Sequence, residues 1–377
     1  MSSTDIPTTT DTGLPGAETD GRGQALAERL FADMLSGLEL LTVELGRRLG
    51  LYRALHDAGP TTADRFADRA AIAQRYAREW LEQQAAAGII DVVTAGSTTD
   101  REYALPAAHV GVLLDETDPL HLAGGAMGVE GIALTLPEVA AAYRTGTGVG
   151  YERFGDEIRR GIASLNRPMF THELAGWVRA LPDVAARLDS GGVVLDAGCG
   201  SGWSSVALAK AFPAARVVGV DLDTASVAEA RRNVESEGLS DRVRVVEANS
   251  ADGRALQAAA GARCQLVTVF EALHDMGEPV RALAAFAEVL APGGAVLVAD
   301  ERVGAEFTAP ADELDRLNYA FSVLHCLPAT MAESTHIANG TVLRPDTVRS
   351  WAQAAGFDRI EELPIDNELW RFYRLSE

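Results

Sequence analysis

The sequence predicts an α/β chain: a doubly wound, mostly parallel sheet over the C-terminal half, with a smaller helical domain in front that closes in a β-hairpin. Two observations carry this. From Gly191 onward, short apolar runs alternate with helical stretches, the grammar of successive βα units. Before residue 107, a series of helical segments is followed by two short β runs around a glycine-containing turn. A chain of 377 residues is long enough to bury a core in each part.

Residues 1–23 are rich in Thr, Asp, Gly and Pro and read as a disordered tail, because such a segment cannot offset its ordering entropy. From Ala25 the pattern is helical, and Leu30, Met34, Leu38, Leu41 and Leu45 form one apolar stripe. Gly50 interrupts that helix, and a short one from Leu51 stops at Gly59-Pro60. Thr61 and Thr62 offer an N-cap to a helix through Phe66. A further helix, roughly 73–87, carries Tyr76, Trp80 and Leu81 toward a core. Residues 89–93 and 103–105 read as a hairpin, so the segment 24–106 has the element order of a winged helix.

Residues 107–180 read as a helical connector with glycine breaks at Gly124-Gly125 and Gly146-Thr147-Gly148. Within 181–377, strands are expected at 193–195, 216–220, 243–246, 266–270 and 295–299, with helices near 206–212, 225–235 and 280–290.

The net charge of −21 disfavours nucleic acid and anionic membranes as partners and leaves a small molecule. Cys199, Cys264 and Cys326 are odd in number and far apart, which argues against a disulfide framework and for the reducing cytoplasm. Met1-Ser2-Ser3-Thr4-Asp5 lacks the basic-then-apolar pattern of a leader, so no secretory signal is expected; no run approaches the roughly 18 apolar residues of a membrane span, and no His/Cys spacing suits a metal.

The strongest local signal is Asp196-Ala197-Gly198-Cys199-Gly200-Ser201-Gly202, after a strand and opening a helix. Gly198, Gly200 and Gly202 allow a tight turn and a close approach of backbone to a ligand. The next strand ends at Asp221, followed by Leu222, and a carboxylate there can accept both hydroxyls of a ribose. A dinucleotide fingerprint needs glycine at 203, where Trp203 stands.

The spacing D-x-G-x-G-x-G resembles the first motif of class I S-adenosylmethionine-dependent methyltransferases, which have a Rossmann-like fold. The resemblance continues over about residues 190–300 through Asn249-Ser250, Phe270-Glu271-Ala272-Leu273-His274-Asp275-Met276 and Ala291-Pro292-Gly293-Gly294. With the N-terminal winged helix it is similar to small-molecule O-methyltransferases of bacteria; Leu51-Tyr52-Arg53-Ala54-Leu55 and Arg78-Glu79-Trp80-Leu81 carry that part.

The resemblance implies S-adenosylmethionine as cofactor, held by Asp196, the loop glycines, Asp221, Leu222, Asn249, Ser250 and Phe270. It also implies a homodimer formed through the N-terminal module and a role in secondary metabolism. His274 matches the family's base for an acceptor hydroxyl, and Asp300 matches the acid that orients it. The alternative for His274 is a helix cap in an enzyme that methylates nitrogen or carbon. A winged-helix regulator that binds the cofactor without methylation is the other rival, with Arg75 and Arg78 on its recognition helix. Tyr151, Phe154 and Asn166 lie on a segment expected to fold over the cofactor as a lid, where Arg167 is expected to fork the methionyl carboxylate. Tyr319 and His325 are candidates for the acceptor pocket.

Overall fold

The computed structural model describes residues 21–334 and 336–377, so most of the expected tail lies outside the described residues. Helix α1 (Arg22–Arg48) begins just inside the segment read as tail. After Gly50, in the left-handed conformation at φ +67°, follow α2 (Leu51–Ala58), β1 (Thr61–Thr62), α3 (Ala63–Ala70), α4 (Gln74–Ala86), β2 (Asp91–Thr94) and β3 (Glu102–Ala104). The three strands form an antiparallel sheet in the order β1-β3-β2. The core of this winged helix is Leu51, Tyr52, Leu55, Phe66, Trp80 and Tyr103, with Trp80 stacked on Phe66 at 5.9 Å.

Two details of the sequence reading change. Thr62 makes no side-chain cap, because its segment pairs with β3. Tyr76 is exposed: the inward stripe of α4 is Ala77, Trp80, Leu81 and Gln84, and residue 76 falls off that phase.

The connector contains α5 (Val110–Leu114), α6 (Ala123–Thr145), α7 (Gly155–His172), α8 (Leu174–Arg179) and α9 (Pro182–Asp189). Gly124-Gly125 does not break the chain; both lie inside α6. Their use is packing. A Cβ at Gly124 would sit 2.6 Å from Ser164 Cβ, and one at Gly161 would sit 2.8 Å from the Gly128 nitrogen, so small residues let α6 and α7 approach backbone to backbone.

The C-terminal part runs β4 (Val193–Ala197), α10 (Trp203–Ala211), β5 (Arg216–Asp221), α11 (Thr224–Ser236), β6 (Val243–Glu247), α12 (Gly253–Ala260), β7 (Cys264–Phe270), α13 (Pro279–Val289) and β8 (Leu290–Glu301). It then adds α14 (Glu313–Phe321), a π-helical turn (Ser322–Cys326), α15 (Leu327–Glu333), α16 (Pro345–Ala354), β9 (Arg359–Leu363) and β10 (Trp370–Ser376). The seven strands pair in the order β6-β5-β4-β7-β8-β10-β9. The first five are parallel, and β10 and β9 are antiparallel additions that the sequence reading did not contain. Apolar side chains cover both faces, Trp177 and Phe212 on one and Leu256 and Phe286 on the other. The chain moves outward from β4 through β5 to β6, then returns beside β4 as β7. The switch point therefore lies between β4 and β7, where open α/β sheets bind ligands at the carboxyl ends of their strands.

Candidate active site

A cavity of about 890 Å³ opens at those carboxyl ends. After β4 the chain turns through Gly198 at φ +69° and Gly202 at φ +81°. A Cβ on Gly198 would meet the Ala272 side chain at 2.6 Å, and one on Gly202 the Ala230 side chain at 2.9 Å. Glycine is therefore required there by both torsion and space.

Asp196 does not reach the cavity. It is buried and accepts hydrogen bonds from the hydroxyls of Ser204 (2.6 Å), Ser205 (2.6 Å) and Thr268 (2.8 Å). It thus ties the loop, the first turn of α10 and β7 together, and burial pushes its pKa up despite those bonds. Its bonds therefore shape the loop from inside the sheet.

Asp221 lines the cavity and accepts backbone N–H bonds from Gly200 (2.8 Å) and Asp223 (2.9 Å). Burial pushes its pKa up to about 6. Leu222, Ser250 and Phe270 also line it. Asn249 does so too; its side-chain oxygen accepts from the Ala251 nitrogen at 2.8 Å, and the amide nitrogen is left for a ligand.

The roof is the turn at residues 151–154 together with α7. Arg159, Ile162, Ala163, Asn166 and Phe170 recur at three or four residues and line the cavity, so one stripe of α7 faces it. Arg167 is off that stripe, which corrects the expected fork: its guanidinium lies 3.5 Å over the Trp203 ring and pairs with Glu116 at 2.8 Å. The cation on the stripe is Arg159, which pairs with Asp156 and, at 3.6 Å, with Asp223. Its phase relative to Asn166 was readable from the sequence.

Tyr151 lines the cavity, but Phe154 and His325 stand behind it. Phe154 packs edge-on against His325 at 4.5 Å, and both are buried. Burial lowers the pKa of His325, so this ring packs as a neutral one. Tyr319 lies outside the cavity and accepts from Arg344 at 2.9 Å. His325 and Phe154 are thus turned into the packing behind the roof, whereas Tyr319 packs edge-on against Phe307 at 6.2 Å.

After β7, Glu271 adopts φ +50° and lines the cavity, where Asn166 donates to its carboxylate. His274 follows in a short turn and is only 2% exposed. Its Nδ1 lies 2.9 Å from Asp300 Oδ1 and 3.1 Å from Glu301, and its Nε2 lies 3.3 Å from Asp275 Oδ1. Burial alone would lower its pKa, but the charges of Asp275, Glu301 and Asp300 outweigh that and hold it well above the ordinary histidine value. Asp275 lines the cavity and His274 stands directly behind it.

Glu333, from α15, also lines the cavity and accepts from the Gly277 nitrogen at 2.9 Å. Neither Glu333 nor Glu271 was singled out from the sequence. Glu333 comes from a distant segment, which no local pattern announces.

Residues 194–294 match the family model described as a methyltransferase domain, and residues 37–114 match the Rv2258c-like winged HTH domain. The ubiquinone biosynthesis O-methyltransferase of Stutzerimonas stutzeri is 29% identical over 188 residues, 50% of this chain and 74% of that protein. The release factor glutamine methyltransferase of Chlorobaculum tepidum is 42% identical over 57 residues, 15% of this chain. The chain spans only about a fifth of the length of the first curated relatives it matches, 23% and 19%.

Among solved structures, mitomycin 7-O-methyltransferase superposes with a TM-score of 0.65 at 20% identity, covering 94% of this chain and 98% of that one. Human N-acetylserotonin methyltransferase gives 0.65 at 15% identity, covering 96% and 99%. These likenesses extend the shared fold over nearly the whole chain.

The cavity fits S-adenosylmethionine: a tight loop whose Gly198 and Gly202 leave no room for a Cβ, a carboxylate at the end of β5 able to accept ribose hydroxyls, and the Asn249 amide beyond β6 able to meet an adenine edge. Residues 194–294 carry a methyltransferase domain behind a winged-helix domain at residues 37–114, in a fold shared with S-adenosylmethionine-binding methyltransferases.

Proposed function

We propose that this chain transfers the methyl group of S-adenosylmethionine to an oxygen of a small molecule. One observation carries the reading: the nucleoside-fitting loop and the series Asp275–His274–Asp300, in which His274 is hydrogen-bonded to Asp300 and lies 3.3 Å from Asp275, meet at a single cavity. The bound cofactor supplies a methyl group already activated on a sulfonium. What is left to the chain is positioning and proton handling.

Asp221 receives the ribose hydroxyls, Asn249 and Ser250 the adenine, and Phe170 and Phe270, with rings 5.8 Å apart, wall the site. Asp300 holds Nδ1 of His274 and leaves Nε2 as the nitrogen nearest the cavity. An acceptor hydroxyl that displaces the Asp275 carboxylate from Nε2 meets the base there. The ring must first lose its proton, which its carboxylate neighbours resist.

Oxygen as acceptor is supported by the names of relatives that match most of their own length, ubiquinone biosynthesis O-methyltransferase among them. A DNA-reading role has less support, since Arg75 on α4 is already paired with Glu79. No helix among the described residues is long and apolar enough to cross a membrane. The homodimer belongs to this proposal too: Leu30, Phe31, Met34 and Leu38 of α1 are all more than half exposed in the single chain, a stripe that a second copy can cover.

The test is turnover with methyl-labelled cofactor and a panel of small phenols. The expected outcome is an O-methyl product, with His274→Gln losing about 10²–10⁴-fold in turnover while S-adenosylhomocysteine affinity is kept. Unchanged turnover would remove His274 from the mechanism.

A further inference from the structure

We infer that the acceptor molecule carries a positively charged nitrogen, seated among Asp275, Glu278 and Glu333 with Glu152 at the rim. The inference rests on the methyltransferase reading above and names the substrate class for the same cavity.

Seven carboxylates line the cavity against a single guanidinium, Arg159, whereas the whole chain has 54 acids to 33 bases. The imbalance of the cavity is therefore its own and does not simply follow the acidity of the chain. Part of it belongs to the cofactor side. Asp221 is engaged by two backbone N–H groups and faces the ribose position, and Asp223 is paired with Arg159 at 3.6 Å. Glu271 is held by the Asn166 amide at the end of β7. S-adenosylmethionine itself brings a sulfonium and an ammonium against one carboxylate, a surplus of one positive charge, which the cofactor-side acids already meet.

Four acids remain on the acceptor side. Glu278 is bonded to Arg281, a side chain pointing away into solvent at 65% exposure. Glu333 accepts only the Gly277 N–H, a neutral donor. Glu152 has no cation bound to it in the described residues, and Asp275 Oδ1 is inaccessible and lacks a hydrogen-bond partner although it lies 3.3 Å from the His274 ring. The Glu333 carboxyl is pushed up by desolvation and then by the charges of Asp275, Asp221 and Glu278, which shows these like charges facing one another across one space. Like charges held together in a cavity are unfavourable unless a counter-charge enters. A substrate cation supplies it. It also competes with His274 for Asp275, whose charge is the first among those holding that ring protonated, so cation binding and freeing of the base are coupled.

The experiment is calorimetric titration of the protein saturated with S-adenosylhomocysteine, using three phenols of one shape: tyramine (cation), para-ethylphenol (neutral) and para-hydroxyphenylpropanoate (anion). The expected order is cation, neutral, anion, with tyramine at least about tenfold tighter than the anion. In Glu333→Gln the preference shrinks, and in Glu333→Lys it moves toward the anion, with S-adenosylhomocysteine binding retained in both. An equal or reversed order, or no binding of tyramine while S-adenosylhomocysteine binds, overturns the inference. Absence of S-adenosylhomocysteine binding overturns the functional reading beneath it, and the two failures are thereby told apart.

Discussion

Asp221 and His274 are both buried, yet their environments work in opposite directions on the charge each carries. Burial disfavours the Asp221 carboxylate and pushes its pKa up to about 6, while ribose binding needs the ionised form with free lone pairs. Affinity for S-adenosylhomocysteine is accordingly full above that pH and falls roughly tenfold per unit below it, by proton linkage. Calorimetry across pH 5 to 8 measures this, and an affinity independent of pH contradicts it. His274 is the reverse case, held charged by Asp275, Glu301 and Asp300, with Glu271, His325 and Cys326 also facing it. Its neutral, base form grows only as pH rises through a value well above the ordinary one. Turnover should therefore climb with pH far beyond neutrality, and His274→Gln should flatten that limb; a wild-type profile already level at neutral pH would contradict the assignment. The residues legible in the sequence were those set by local spacing, namely the loop 196–202 and Asp221. The side-chain directions of Asp196, Phe154 and His325 were not legible, because packing partners from other elements decide them.

At the scale of elements, the close crossing of α6 and α7 positions the roof, and glycines make it possible. Gly161→Val puts a branched side chain where even a Cβ stands 2.8 Å from the Gly128 backbone. It should destabilise the protein by about 1–3 kcal/mol, read as a lowered denaturation midpoint, and a stability equal to wild type would show that the crossing can relax. The sequence presented the same glycines as breaks, since glycine in a helical pattern is ambiguous until the neighbouring helix is known. Strand β9 was missed for a different reason. Arg359–Leu363 is an edge strand and reads Arg-Ile-Glu-Glu-Leu, so it has no continuous apolar run, unlike the buried strands β4 and β7.

For the whole molecule, two things follow from the order of parts. The apolar stripe of α1 was legible as a stripe, but only the structure leaves it uncovered in a single chain. Light scattering should give twice the 39.9 kDa chain mass, and the pair Met34→Glu with Leu38→Glu should give the single mass; a wild-type monomer would remove the homodimer. Everything else in the proposal depends on what the sheet's switch point holds. The most direct measurement is calorimetry of S-adenosylhomocysteine with the purified chain near neutral pH. The account predicts one site per chain with micromolar or tighter affinity, weakened at least about tenfold by Asp221→Ala. No detectable binding, or binding indifferent to Asp221, would contradict it.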